Sequence, residues 1–128
     1  MEQATTYGIK VSVGTDFQQE YSSPMQQHFV FSYRVTIENN SEFTIQLLKR
    51  HWFVYDSIGI TKEVKGVGVV GNQPIIEPSD SYEYVSGCNL RSELGKMNGS
   101  YLFKKMINDQ TFDVKIPEFV MFVPHLQN

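Results

Sequence analysis

Residues 29–38 alternate without a break. Phe29, Phe31, Tyr33, Val35 and Ile37 fall on one face of an extended chain, while Ser32, Arg34, Thr36 and Glu38 fall on the other. Side chains of a strand repeat every two residues, so this pattern builds one apolar and one polar face. A helix would scatter the same residues around its circumference. No stretch of the 128 residues sustains the 3.6-residue period of an amphipathic helix. The chain must therefore build its core from sheets.

Similar if weaker signals surround this strand. Tyr7, Ile9, Val11 and Val13 alternate with Gly8, Lys10 and Ser12, and Gln18 to Pro24 reads as a polar loop. Asn39-Asn40-Ser41 supplies turn residues. From Thr44 to Tyr55 neither face is purely apolar, so the pattern predicts a bulge near Lys49. Asp56-Ser57-Ile58-Gly59 reads as a turn into a returning strand, Ile60 to Lys65. After a proline-marked corner at 75–80 comes a short strand at Tyr82–Tyr84 and an irregular stretch from Asn89 to Gly95. Ser100–Ile107 and Thr111–Ile116 flank a hairpin tip at Asn108-Asp109-Gln110; Pro117 interrupts, and Phe119–Val123 makes a last strand. The sum is an all-β, antiparallel, immunoglobulin-like β-sandwich of about seven to eight strands. It forms a single domain spanning 1–128, with the ordered sandwich from about residue 7 to 124. Trp52, on a central strand, is similar in placement to the buried tryptophan of immunoglobulin-type sandwiches.

Charge and cysteine content narrow the function classes. The net charge of −3 gives no basic stripe for nucleic acid. Cys88 is the only cysteine, so no internal disulfide forms, as expected in a reducing compartment. No Lys, Arg or His lies within two residues of it to lower its pKa, so it reads as a small buried hydrophobe. Met1 to Thr6 lacks the basic and apolar regions of a signal peptide, and no run is long enough for a membrane span. The expectation is a cytoplasmic protein.

One stretch is unusual: Lys65-Gly66-Val67-Gly68-Val69-Val70-Gly71-Asn72-Gln73-Pro74 carries glycines at the G-x-G-x-x-G spacing. A dinucleotide fingerprint needs a helix directly after it, because the helix N-terminus holds the pyrophosphate. Pro74 and Pro78, with β-branched Ile75-Ile76 between them, forbid that helix. No Gly-Lys-Ser/Thr follows for a Walker A loop. A weaker anion reading stands. If the 56–59 turn closes a hairpin, Arg50 comes roughly opposite Lys65, with Lys49, His51 and Lys62 close by. A glycine loop beside cations can hold a pyrophosphate or an acidic peptide; the alternative is a solvated charged face.

No catalytic constellation presents itself. His28, His51 and His125 have no metal-ligand spacing, and no acidic cluster suits Mg²⁺. No pair of carboxylates is singled out for acid–base work, and Ser86-Gly87 lacks the G-x-S-x-G elbow.

Several ordered motifs resemble the ApaG family (CorD-like). They are Arg50-His51-Trp52, Glu63 to Pro74, and Pro78 with Tyr82 to Cys88. Gly95 to Tyr101, Ile116-Pro117, Phe119 and Pro124 continue the match, as does the strand from Phe29 to Ile37 with Asn39. Ser79 departs from it, standing where the family usually has the glycine of a Pro-Gly turn. The resemblance implies a fibronectin type III-like sandwich and no enzymatic activity or cofactor. It implies an association with cobalt resistance and magnesium efflux. Similar domains in eukaryotic F-box proteins and a DNA-polymerase-interacting protein imply binding to another protein. The family's glycine motif also supports the alternative of a pyrophosphate-containing ligand. The candidate recognition surface is Gly66, Gly68, Gly71 and Gln73 with Arg50, His51 and Lys65; the partner is an unidentified protein, with no nucleic acid and no membrane span. Edge strands of an open sandwich offer a route to a homodimer.

Overall fold

The strongest alternation in the sequence becomes the middle of the first sheet. The computed structural model describes residues 1–124. Its strands are β1 (Glu2–Thr6), β2 (Ile9–Phe17), β3 (Phe29–Asn39), β4 (Ile45–Asp56), β5 (Ile60–Val67), β6 (Ile75–Ile76), β7 (Ser81–Leu90), β8 (Leu94–Lys105) and β9 (Thr111–Phe122). One sheet has the order β1-β2-β3-β7; the other has β5-β4-β8-β9, with β6 also pairing with β4. All pairings are antiparallel. The two sheets pack face to face, as the sequence implies.

Two strands change their inward face partway along, and a bulge explains each. In β4 the buried residues are Ile45 and Leu47, then Trp52 and Val54. The register against β8 slips between Leu47 and Lys49, leaving Leu48 as the extra residue. A one-residue slip moves every later side chain to the other face. The mixed faces of Thr44–Tyr55 are thus one strand with a bulge, as predicted. In β9 the buried set passes from Val114 and Ile116 to Phe119 and Met121. Its register against β8 slips between Met97 and Gly99. Pro117 sits in that bulge, where no ladder hydrogen bond is asked of it. The expected break there is absent, and β9 runs through.

Other differences lie at strand ends. Tyr7 and Gly8, read as strand, form a two-residue turn with φ of 51° and 82°, and Thr6 pairs with Ile9 across it. β1 precedes them; its sequence, Glu-Gln-Ala-Thr-Thr, has no apolar alternation because it lies at an edge. β7 and β8 extend into the stretch read as irregular, leaving only residues 91–93 between them.

The core joins the sheets through rings. Trp52, 2% exposed, meets Tyr33 and Phe119 with centroids 5.4 and 5.9 Å away. The buried hydroxyls of Tyr84 in β7 and Tyr101 in β8 hydrogen-bond across the sandwich. Asn39 is fully buried and fully used. Its Nδ2 donates to the carbonyls of Phe43 (2.8 Å) and Ile76 (2.9 Å), and its Oδ1 accepts from the Ser41 N–H (3.0 Å). It therefore ties β6 to the end of β3. One side of the sandwich is closed: the Lys115 N–H of β9 donates to Thr6 Oγ1 of β1 at 3.2 Å. On the other side β5 and β7 are the outer strands.

Candidate functional site

The glycine loop is an excursion from one edge of β4. β5 pairs with β4 from Asp56 to Lys49, and β6 resumes on the same edge at Gln46 and Ile45. Residues 68–74 leave the ladder between them, opposite the bulged Leu48. The Gly68 N–H donates to the Leu48 carbonyl at 2.8 Å, and the Leu47 N–H donates to the Pro74 carbonyl at 3.0 Å. Gln73 Nε2 donates to the same Leu48 carbonyl at 3.1 Å, while Gln46 Nε2 donates to the Gln73 carbonyl at 3.1 Å. The loop is thus fastened at both feet.

Its tip is a tight reverse turn. Val69 and Asn72 exchange N–H···O bonds of 2.8 and 2.9 Å. The residues between them, Val70 and Gly71, have φ of 46° and 79°. Positive φ at both central positions defines a type I′ turn, which favours Asn-Gly. Gly71 suits it. Val70 does not, because a β-branched residue in the left-handed region is strained. Val69 points inward and is buried, whereas Val70 is 59% exposed. Val67 and Ile75, in the ladder at either foot of the loop, are 64% and 54% exposed. An apolar side chain therefore faces solvent at the tip, and two more do so at the feet.

The other two glycines serve packing. A Cβ on Gly68 would lie 2.1 Å from the Asn72 carbonyl oxygen, and its φ is 64°. A Cβ on Gly66 would lie 2.5 Å from the Arg50 guanidinium carbon. The guanidinium rests on that bare glycine, and its Nη1 donates to the carbonyls of Val67 (3.1 Å) and Gly68 (2.9 Å). The N–H groups of Gly68, Val69 and Asn72 all donate to backbone carbonyls.

The expected cations divide between two faces. The register places Arg50 opposite Gly66 and His51 opposite Lys65, one residue from the pairing read in the sequence. Arg50 shares the inward face with Trp52, while His51 and Lys65 lie on the outer face of the sheet. There Glu63 accepts from His51 Nε2 at 2.5 Å and approaches Lys65 Nζ at 3.7 Å. The His51 hydrogen bond, helped by Lys65, holds the Glu63 carboxyl below its usual range. Lys49, Arg50, His51, Lys65 and Gly66 line a shallow groove with Ser100 and Asp113. Four of the seven candidate residues thus share one groove, while Gly68, Gly71 and Gln73 belong to the loop beside it. The exposure of apolar Val67, Val70 and Ile75 was not singled out in the sequence, although Val67 and Val70 lie within the glycine stretch itself. The available signal was Val70-Gly71 itself, a β-branched residue next to a turn glycine.

Among the described residues no three His, Cys, Asp or Glu side chains cluster as metal ligands. His125 lies outside the described residues. No described helix is long and apolar enough to cross a membrane. Burial pushes the Cys88 thiol up to about 11, so it stays protonated at neutral pH.

The paired sheets around Trp52 and the looped excursion define a fibronectin type III-like β-sandwich domain. The profile of the ApaG domain matches residues 19–105. The chain belongs to the ApaG family. It is 42% identical to Protein ApaG of Nitrosomonas eutropha over 128 residues, covering 98% of each chain. It is 45% identical to Protein ApaG of Paramagnetospirillum magneticum over 125 residues, 98% of this chain and 95% of that one. A crystal structure of the ApaA protein from Bordetella pertussis aligns with a TM-score of 0.88 at 40% identity, over 92% of this chain and 95% of that one.

Proposed function

We propose that this protein is a non-enzymatic interaction module of the cytoplasm. It binds another protein through the loop Gly66–Pro74 and takes part in Co²⁺/Mg²⁺ efflux. One observation carries the binding reading: Val70 occupies a turn position that stability would give to Asn or Gly, and it exposes an apolar side chain there. Strain kept at an exposed site suits recognition. Val67 and Ile75 add exposed apolar surface at the feet of the loop. The link to cation efflux draws on family resemblance alone.

This reading is favoured over a pyrophosphate ligand by the same geometry. Three loop N–H groups are already bonded within the backbone, and His51 and Lys65 face Glu63. A photoreactive phenylalanine at position 70, and another at exposed Met25, tests the binding reading in cells. A discrete cross-linked protein from position 70 that Val67→Asp abolishes, with none from position 25, is the expected result. Identical adduct patterns from the two positions would count against it. A homodimer would use the outer strands β5 and β7.

A further inference from the structure

The open side of the sandwich has chemistry that the loop does not use. Between β4/β5 and β3/β7 lies a cleft of about 290 Å³ whose walls include Tyr33, Arg50, Trp52, Lys62, Ser86 and Cys88. Along the inner face of the β4/β5 ladder, Arg50 pairs with Gly66, Trp52 with Val64, and Val54 with Lys62. A cation therefore stands at each end of an apolar strip.

Neither cation forms an ion pair with a carboxylate among the described residues. Arg50 commits Nη1 to two carbonyls, which fixes its planar head while Nη2 and Nε keep their donors. The Trp52 ring forms part of the cleft wall, with its Nε1–H out of reach of solvent behind that wall and without an acceptor among the described residues. The remaining polar walls carry no negative charge. Burial pushes the Tyr33 hydroxyl above its usual range, with Ser86 pulling the other way, and the Cys88 thiol is up to about 11. No carboxylate lines the cleft. The nearby Asp56 is taken by the Arg91 N–H (2.6 Å) and the Ser92 hydroxyl.

We propose that this inter-sheet cleft binds a small aliphatic carboxylate. Its carboxylate lies against the Arg50 fork, and its tail lies on Trp52, Val54, Val64 and Met97. A guanidinium fork matches the two coplanar oxygens of a carboxylate. A cleft of this volume is at the small end of ligand sites and fits a short chain. The site is separate from the loop tip proposed to bind protein.

Trp52 is the only tryptophan, so the indole N–H gives a single signal in a ¹⁵N–¹H spectrum. Butyrate is titrated against it at constant ionic strength, with sodium sulfate as a second titrant. The expected result is a saturable indole shift in the low millimolar range, about what so small a ligand reaches. Sulfate should leave the signal in place. Arg50→Met should weaken binding about tenfold or more. Because Arg50 also caps the loop, half-exposed Val64→Asp, which sets a negative charge on the strip beside Arg50, serves as a second variant and should weaken it about threefold or more. No saturable shift up to about 50 mM butyrate, or the same shift with sulfate, would overturn the proposal. An unchanged midpoint in folded Arg50→Met or in Val64→Asp would do so as well.

Discussion

Ser79 and the glycines of the loop show how much a single φ angle decides. Glu77-Pro78-Ser79-Asp80 closes with the Asp80 N–H on the Glu77 carbonyl at 3.0 Å, and Ser79 has φ of 72°. Proline followed by a positive φ is a type II turn, which favours glycine at that place. The departure from the family pattern is therefore a strained residue. Ser79→Gly should raise stability by about 0.5–1 kcal/mol, since release of left-handed strain exceeds the added chain entropy. A higher midpoint in urea with an unchanged slope would bear this out, and a lower one would refute it. Within the loop, Gly71→Ala meets open space but keeps a positive φ, and should cost about 1 kcal/mol. Gly68→Ala adds a collision with the Asn72 carbonyl and should cost about 3 kcal/mol or more. Equal losses in the two variants would show that packing at Gly68 matters little. The glycine spacing was legible in the sequence, and its flanking prolines excluded a nucleotide fold. What each glycine touches was not, because Arg50 reaches Gly66 across the β4/β5 ladder and the Asn72 carbonyl meets Gly68 only once the turn at its tip has closed.

Strands were legible wherever one face is buried over several residues. β3 needed no more than its alternation. β4 looked ambiguous because a bulge divides it into two phases, and the sequence gives the phases but not the residue that is skipped. Deleting Leu48 should therefore leave the β4–β8 pairing and the inward Arg50, Trp52 and Val54 in place, while removing the carbonyl that holds Gly68 and Gln73. The expected outcome is a variant that still unfolds cooperatively but loses amide-exchange protection across residues 66–74; a variant that does not fold, or one whose loop protection is unchanged, would contradict this role for the bulge. Pro117 misled for the opposite reason. A proline ordinarily ends a strand, but here it occupies the slip in register against β8. β1 escaped notice because an edge strand paired on one side can do without an apolar face.

At the scale of the whole molecule, the sandwich is closed by β1 and β9 and open between β5 and β7, a difference that no local pattern encodes. Its surface charges give a pH test. Hydrogen bonds from His51 and from Asn98 hold Glu63 and Glu118 below the usual 4.5, with Lys65 and Lys96 assisting. Folded values below the unfolded one mean that these carboxylates stabilise the protein above 4.5, and that this contribution is lost as pH falls through the folded values. The Glu63→Gln/Glu118→Gln variant should thus show a flatter fall of melting temperature between about pH 5 and 3 than the parent chain; an unchanged slope would remove these pairs from the account. The central claim concerns the loop tip, where stability is given up for an exposed Val70. Val70→Asn restores the favoured type I′ pair, and should raise stability by about 1 kcal/mol, or about 3–5 °C in melting temperature. The decisive measurement is cobalt tolerance of cells whose own copy is deleted and replaced by this variant. A more stable protein that fails to restore tolerance is the expected result. A more stable protein that restores it fully would contradict the claim that the tip is a recognition surface.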